Sequence, residues 1–178
     1  MANNYFTFKQ FTIYQDKCSF KVGTDGVLLG ACADVSGAKN ILDIGTGTGL
    51  LALMLAQRCY AEIVAIEPDR DSFEQASGNV RSGKWNDRIK VVNTDLQNYD
   101  PGTVKFDLIV SNPPYFTDSL KNPDPRKAAS RHNDTLSSGE ILRSVSRLLS
   151  DKGKLQIILP YVGFADKVFL RTYNVNNQ

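Results

Sequence analysis

Hydrophobic segments of two kinds alternate along most of this chain. Short apolar runs that are typical of buried strands occupy residues 40–44, 63–66, 89–93, 106–111 and 154–159. Apolar positions with helical spacing occupy residues 49–58, 70–82 and 137–150. Strands that alternate with helices in this way favour parallel pairing through crossover helices. We therefore predict the α/β fold class, with a doubly wound and mostly parallel sheet.

A separate leader precedes this alternation. Residues 6–15 partly alternate as a strand would, Asp16-Lys17 predicts a turn, and residues 19–22 predict a returning strand. Thr24 and Asp25 are candidate caps of a short helix that continues to Ala33. We predict a single domain with two parts, a strand and helix leader at 1–35 and the α/β unit at 36–178.

The alternation ends after Pro160. One further strand is predicted at residues 170–175. A sheet of this type usually closes with an antiparallel pair, so we expect the C-terminal strands to be incomplete.

Composition narrows the class of protein. The chain is 42% hydrophobic and 22% charged, which is ordinary for a soluble globular domain, and its net charge of +2 indicates no particular partner. No apolar run approaches the roughly 18 residues of a membrane span, and the three cysteines lack metal-ligand spacing. We expect a cytoplasmic protein with no membrane partner and no metal. The sequence leaves the oligomeric state open, and a monomer is the working expectation.

The strand at 106–111 continues directly into Asn112-Pro113-Pro114-Tyr115. The two prolines end the strand and stiffen the loop that follows. The Asn112 side-chain oxygen and the Pro113 carbonyl can both accept from a planar NH2 group, while the Tyr115 ring lies against its flat face. Adenine and a glutamine amide both carry such a group, which needs orientation toward an electrophile. These four residues are candidate catalytic residues, and the alternative is a plain turn at the end of a strand.

The strand at 40–44 enters a glycine-rich turn with glycines at 45, 47 and 49. Glu67 ends the next strand about 20 residues later, where an acidic side chain can hold ribose hydroxyls. The dinucleotide fingerprint does not fit, because the third glycine comes one residue early and Leu50 takes the expected small position. A cofactor with ribose and adenine but no phosphate fits better, and S-adenosylmethionine is such a cofactor.

A second acid, Asp95, follows the strand at 89–93. It is placed to accept from the adenine amino group, with Leu96 beside the base. The alternative for both Glu67 and Asp95 is a helix N-cap, because acidic side chains are common there.

The glycine turn that begins at Asp43 and the loop that begins at Asn112 occur together in class I S-adenosylmethionine-dependent methyltransferases, which this chain resembles. The branch concerned methylates adenine N6 or glutamine N5. The leader segments are similar to those of the bacterial tRNA adenine N6-methyltransferases, which modify the adenine beside the anticodon of a valine tRNA. These segments are Phe8-Lys9-Gln10-Phe11, Gln15-Asp16-Lys17-Cys18 and the stretch from Lys21 to Gly30. The likeness covers about residues 5–160.

This resemblance implies a Rossmann-like methyltransferase domain and methyl transfer to an anticodon-loop adenine of valine tRNA. It implies that the target amine is held by the loop that begins at Asn112. It also implies that the leader closes over the methionine end of S-adenosylmethionine. The cofactor residues that it implies are Asp43, Gly45, Thr46, Gly47, Glu67, Asp95 and Leu96, with Lys21, Thr24 and Asp25 from the leader.

A basic segment follows the Asn112 loop. Its candidate RNA-binding residues are Lys121, Arg126, Lys127, Arg131 and His132. Positive charges there could meet tRNA phosphates, and the alternative is an ordinary solvated loop. Two other functions stay open. One is glutamine N5 methylation of a peptide release factor, although those enzymes have a helical N-terminal domain. The other is a catalytically silent RNA-binding module of the same fold.

Overall fold

A computed structural model describes residues 3–113, 138–160 and 168–174. Its centre is a six-stranded sheet. The strands of this sheet are β3 (Asn40–Ile44), β4 (Glu62–Ile66), β5 (Ile89–Val92), β6 (Phe106–Ser111), β7 (Leu149–Pro160) and β8 (Val168–Asn174). Their order across the sheet is β5-β4-β3-β6-β7-β8. Strands β3 to β7 pair in parallel, and β8 is antiparallel to β7. The predicted α/β class with a mostly parallel sheet is confirmed.

Helices cover both faces of this sheet. They are α1 (Thr24–Cys32), α2 (Leu50–Ala56), α3 (Arg70–Ser82) and α4 (Ser138–Leu148). Side chains that alternate along β3 enter two different cores, because successive residues of a strand point to opposite faces. Ile41 lies in a cluster with residues of α1 and α2, whereas Leu42 lies in a cluster with Val145 and Leu148 of α4.

The leader differs from the sequence prediction. A hairpin of β1 (Tyr5–Thr7) and β2 (Thr12–Tyr14) stands where one strand was predicted over 6–15. Phe8 N–H donates to the Phe11 carbonyl at 2.9 Å, and the two rings stack with centroids 4.7 Å apart. This aromatic turn reverses the chain well before Asp16. The chain also bends at Asp16-Lys17, where a turn was predicted. The predicted returning strand at 19–22 is wrong, because no strand lies between β2 and α1 in the described part of the chain.

The start of α1 also differs. Gly23 is the N-cap residue and no side chain caps the helix. The prediction of Thr24 and Asp25 as capping residues is wrong, because both lie inside the first turn. The Asp25 carboxylate there is near the positive end of the helix dipole.

The later elements agree with their predictions apart from their ends. The helix predicted over 137–150 ends at Leu148, and β7 follows at once from Leu149, several residues before its predicted start. The irregular pairing of β7 with β6 lies between Phe106 and Leu108. Gly153 fits there because a Cβ would lie 2.6 Å from the Phe106 carbonyl oxygen. The predicted boundary between residues 35 and 36 stays a prediction.

Candidate functional site

The carboxyl ends of β3 and β6 lie side by side at the centre of the sheet. Ile44 pairs with Ser111, and Ser111 Oγ donates to the Ile44 carbonyl oxygen at 3.0 Å. The glycine turn begins one residue after Ile44, and Asn112 comes one residue after Ser111. The structure therefore brings the starts of the two predicted motifs together, where the strand order reverses and ligands of open α/β sheets bind.

Backbone geometry explains the glycines of this turn. Gly45, Gly47 and Gly49 have φ values of 69°, 56° and 81°, a region that favours glycine. The N–H groups of Gly45 and Thr46 both donate to the Ile66 carbonyl, at 3.0 and 3.1 Å. Among the described residues, a Cβ at Gly45 or Gly47 would meet nothing within 4 Å. The turn is therefore anchored to the end of β4 and leaves open space above two of its glycines.

Asp43 lies beneath the turn with an exposed fraction of 0%. Its Oδ2 accepts from Thr46 Oγ1 at 2.6 Å, and its Oδ1 has no hydrogen-bond partner within the described part of the chain. Burial raises the pKa of Asp43 to about 7, against the lowering effects of the Thr46 hydroxyl and the nearby Ala52 N–H. A buried carboxylate with one unsatisfied oxygen is costly, so a positive ligand group nearby would stabilise its charged form.

Glu67 contacts the turn from the end of β4. Its Oε2 accepts from the Gly47 N–H at 2.8 Å, and its Oε1 accepts from the Asp69 N–H at 3.1 Å. The N-cap of α3 is Asp69, whose side chain accepts from Ser72 N–H. The N-cap alternative for Glu67 is therefore wrong, and this carboxylate stands beside the open glycines.

Asp95 has a different environment. Its two oxygens accept from the backbone N–H and the side-chain amide of Asn98, at 2.8 and 2.9 Å. These bonds begin a turn over residues 96–98. No helix lies between β5 and β6 among the described residues, so the N-cap alternative for Asp95 is wrong. The neighbouring Leu96 is 3% exposed and lies in the hydrophobic cluster on the α4 face. Contact of either residue with an adenine base stays a prediction.

The leader reaches this site through α1. A Cβ at Gly26 would lie 3.2 Å from Leu50 Cδ2 and 3.4 Å from Asn112 Nδ2. Thr24 and Asp25 form the first turn of the same helix, so the structure brings them near Asn112. Lys21 is exposed in the segment just before this helix.

Three buried amide side chains that hold the leader were missed from the sequence. They are Gln15, Gln75 and Asn79, which are 6%, 7% and 2% exposed. Gln75 and Asn79 lie four residues apart on α3, next to the buried Ala76 and Val80. The available signal in the sequence was that two polar residues lie on the apolar face of a predicted helix. Their partners lie elsewhere in the chain, so the spacing alone did not reveal the contacts.

Several predicted site residues lie outside the described residues. These are Pro114, Tyr115, Lys121, Arg126, Lys127, Arg131 and His132. Their roles stay predictions. Within the described ranges, no group of three or more His, Cys, Asp or Glu side chains could hold a metal ion. No helix among the same residues is long and apolar enough to span a membrane.

The methyltransferase small domain family matches residues 19–162. Over 163 residues the chain is 55% identical to the tRNA1(Val) (adenine(37)-N6)-methyltransferase of Phocaeicola vulgatus, a match that covers 92% of this chain and 69% of that protein. The protein of the same name from Trichodesmium erythraeum is 53% identical, with 90% of this chain and 69% of the relative covered.

Solved structures of other proteins have a similar fold. The crystal structure of a putative S-adenosyl-L-methionine-dependent methyltransferase from Methanococcus maripaludis has a TM-score of 0.51 and 25% identity, and the match covers 69% of this chain and 48% of that one. P. horikoshii TYW2 in complex with MeSAdo has a TM-score of 0.62 and 15% identity, over 87% of this chain and 51% of that one. This chain thus spans about half the length of each of these two structures.

Proposed function

The chain belongs to the methyltransferase small domain family, and from this premise we propose that it transfers a methyl group from S-adenosylmethionine to N6 of adenine 37 in tRNA1(Val). The substrate follows from the curated relatives that carry this name at 52 to 55% identity. The proposed partner is therefore this tRNA. A monomeric state and a cytoplasmic location stay predictions.

The observation that carries the proposal is the pairing of Ile44 with Ser111. It supports a site in which cofactor and target amine meet, because the glycine turn and Asn112 leave adjacent strand ends. Gly26 of α1 approaches the same region from the leader side, since an added Cβ there would lie 3.4 Å from Asn112 Nδ2. A reaction between two bound molecules depends on this kind of proximity, which can lower a barrier by roughly 7–11 kcal/mol.

The residues around the turn fit S-adenosylmethionine. Glu67 would accept from the ribose hydroxyls, because its carboxylate contacts the glycine turn through the Gly47 N–H and a carboxylate is an acceptor for hydroxyl donors. Asp43 Oδ1, which has no hydrogen-bond partner among the described residues, would favour the positive charge of the methionine end. The space above Gly45 and Gly47, which no described residue fills within 4 Å of an added Cβ, would admit the cofactor. When bound, S-adenosylmethionine supplies an electrophilic methyl group on a sulfonium.

Asn112 and Pro113 would orient the amine. The Asn112 side-chain oxygen and the Pro113 carbonyl accept the two N–H groups of adenine N6 and direct the nitrogen lone pair toward the methyl group. The nitrogen becomes acidic as the new N–C bond forms, so its proton can leave to water without a strong base. Asn112 therefore acts by holding the amine rather than by taking its proton.

The test is methylation of a defined RNA with labelled S-adenosylmethionine. We expect label in an unmodified tRNA1(Val) transcript, located at adenine 37 by mass mapping. A transcript with guanine in place of adenine 37 is the matched control and should stay unlabelled. Equal labelling of both transcripts, or of a release factor glutamine instead of RNA, would contradict the proposal. Tight tRNA binding without cofactor binding would support the silent RNA-binding module instead.

A further inference from the structure

The buried amide of Asn79 joins the leader to the glycine turn. Its Oδ1 accepts from the Tyr14 N–H at 2.9 Å, and its Nδ2 donates to the Tyr14 carbonyl at 2.8 Å. The same Nδ2 donates to the Thr48 carbonyl at 2.8 Å. Both amide protons and the amide oxygen are thus engaged across 65 and 31 residues of sequence. Asn79 pairs with Tyr14 as a neighbouring strand would and holds Thr48 at the same time.

A second anchor lies beyond Tyr14 in the leader. A Cβ added at Gly26 of α1 would lie 3.2 Å from Leu50 Cδ2 and 3.4 Å from Asn112 Nδ2, so α1 lies close against both side chains at this point. Between the two anchors, Gln15 Oε1 accepts from the Val22 N–H at 2.9 Å, and this bond folds the segment back on itself. Residues 15–25, which we call the strap, are therefore fixed at both ends next to the glycine turn.

We propose that Asn79 is a positioning residue that sets the strap over the cofactor site by joining Tyr14 to Thr48. The inference rests on the proposed function, because it takes S-adenosylmethionine as the ligand under the strap. The strap contains Lys21, Thr24 and Asp25, the leader residues that are expected near the methionine end. Their position relative to the turn depends on the Asn79 anchor, because Asn79 holds Tyr14, the residue that precedes the strap, and Thr48 of the turn.

The chemistry of the contact explains why an amide stands here. An asparagine offers one acceptor to the Tyr14 N–H and two donors to the carbonyls of Tyr14 and Thr48. An aspartate at the same place would keep the acceptor but would face two carbonyl oxygens without a proton to give. Asn79→Asp is therefore expected to break the joint to Thr48 while it changes the size of the side chain very little.

Gln75 provides a matched control on the same helix. Its Oε1 accepts from the Lys17 N–H at 2.9 Å, so it also holds the leader against α3. No hydrogen bond joins it to the glycine turn among the contacts of the described residues. Lys17 lies within the strap, so Gln75→Ala removes one contact along the strap but leaves both anchors and the bond from Asn79 to Thr48 in place.

The experiment compares both variants with the full wild-type chain in two measurements. The first is hydrogen exchange without cofactor. We expect Asn79→Asp to speed exchange in residues 12–22 and also at the Gly47 and Gly49 amides, and Gln75→Ala to affect only the leader. The second is calorimetric titration with S-adenosylhomocysteine below the melting temperature of each variant. Asn79→Asp should weaken binding roughly tenfold, the effect of one or two buried hydrogen bonds, and Gln75→Ala less than about twofold on the same scale.

Different results would contradict the role of Asn79 and the proposed function. If the Gly47 and Gly49 amides exchange alike in wild type and Asn79→Asp, the inference is overturned whatever the protein binds. Equal loss of affinity in both variants also overturns it, because the effect would then follow leader stability alone. Failure of the wild type to bind S-adenosylhomocysteine contradicts the proposed function, while the exchange measurement still decides whether Asn79 holds the turn. Should Asn79→Asp not fold, Asn79→Ser replaces it, since a serine hydroxyl is too short to reach both partners.

Discussion

Ser111 Oγ donates a hydrogen bond to the Ile44 carbonyl oxygen at 3.0 Å, and this contact fixes the carboxyl ends of β6 and β3 to each other. The next residues are Asn112 on one strand and Gly45 on the other. Two motifs that are 67 residues apart in the chain thus start within the width of one strand pair. The proposed roles of the two motifs, cofactor binding and positioning of the target amine, can be tested separately by changing one side chain at each motif.

Asn112→Ala is expected to affect turnover and to leave cofactor affinity almost unchanged. The change removes the proposed acceptor of the target amine, and loss of one polar group that stabilises the transition state typically costs about 100- to 1,000-fold in kcat. The Kd for S-adenosylhomocysteine should change less than about threefold, because a threefold change corresponds to less free energy than one hydrogen bond typically contributes. Steady-state kinetics with tRNA and calorimetry measure the two quantities. A parallel loss of affinity and turnover would show that Asn112 also holds the cofactor.

Glu67→Ala should have the reverse effect. It removes the acceptor of the Gly47 N–H and the group that is expected to hold the ribose hydroxyls, so the Kd for S-adenosylhomocysteine should rise by about 10- to 100-fold. At saturating cofactor, kcat should fall much less than in Asn112→Ala. Calorimetry and kinetics at high cofactor concentration measure these effects.

Asp69→Ala is the control for Glu67. Asp69 caps α3 with its side chain, so its loss should destabilise the protein by about 1 kcal/mol. The Glu67 contacts to the Gly47 and Asp69 N–H groups involve only main-chain donors at those positions and would remain. If Asp69→Ala weakened cofactor binding as much as Glu67→Ala, the effect would belong to the end of the helix and not to the Glu67 carboxylate.

The strands and the two motifs could be predicted because their causes are local. A continuous apolar run such as Leu108-Ile109-Val110 favours a strand that is buried on both faces. Pro113 ends that strand whatever surrounds it, because proline cannot donate a hydrogen bond to the sheet. The glycine spacing likewise indicates positions where the backbone has a positive φ, and this depends only on the short turn itself.

The contacts of the leader could not be predicted because their causes are distant. Asn79 looks like an ordinary polar position on a helix until Tyr14 is placed against it, 65 residues away. The alternation over residues 6–15 is compatible with one strand, whereas the structure has a hairpin in which Phe8 stacks on Phe11 across the turn. The Asp95 carboxylate could serve a ligand or a turn equally well from sequence, and only the structure shows its bonds to Asn98.

Two glycines in helices should respond to alanine with opposite signs. A Cβ at Gly30 would lie 2.6 Å from Met54 Sδ and 3.1 Å from Met54 Cβ, so Gly30→Ala should destabilise the protein by about 1–3 kcal/mol through overpacking. A Cβ at Gly78 would meet nothing within 4 Å in the described structure, so Gly78→Ala should stabilise α3 by about 0.5–1 kcal/mol. Urea denaturation of both variants measures the two free energies. Equal effects would mean that α1 does not approach α2 as closely as the structure has it.

The buried Asp43 carboxyl should make stability depend on pH in a defined direction. Its pKa is raised from 3.8 to about 7 by burial, so the folded chain binds more protons than the unfolded chain between these values, and stability falls as pH rises through this window. Asp43→Asn removes this titration. The wild type should therefore lose about 2–3 kcal/mol more stability than Asp43→Asn between pH 5 and pH 8, by the conversion of 1.36 kcal/mol per pH unit.

Asp34 provides a control of opposite sign for this titration. The hydrogen bond from the Lys154 ammonium, at 2.7 Å, lowers the pKa of Asp34 to about 2. Its contribution to stability is therefore present above pH 4 and is lost only as the solution becomes more acidic. Asp34→Asn should leave the change between pH 5 and pH 8 as it is in the wild type. Urea denaturation at the two pH values measures all three proteins, and a wild-type slope that Asp43→Asn does not reduce would mean that Asp43 is already ionised beneath the glycine turn at pH 5.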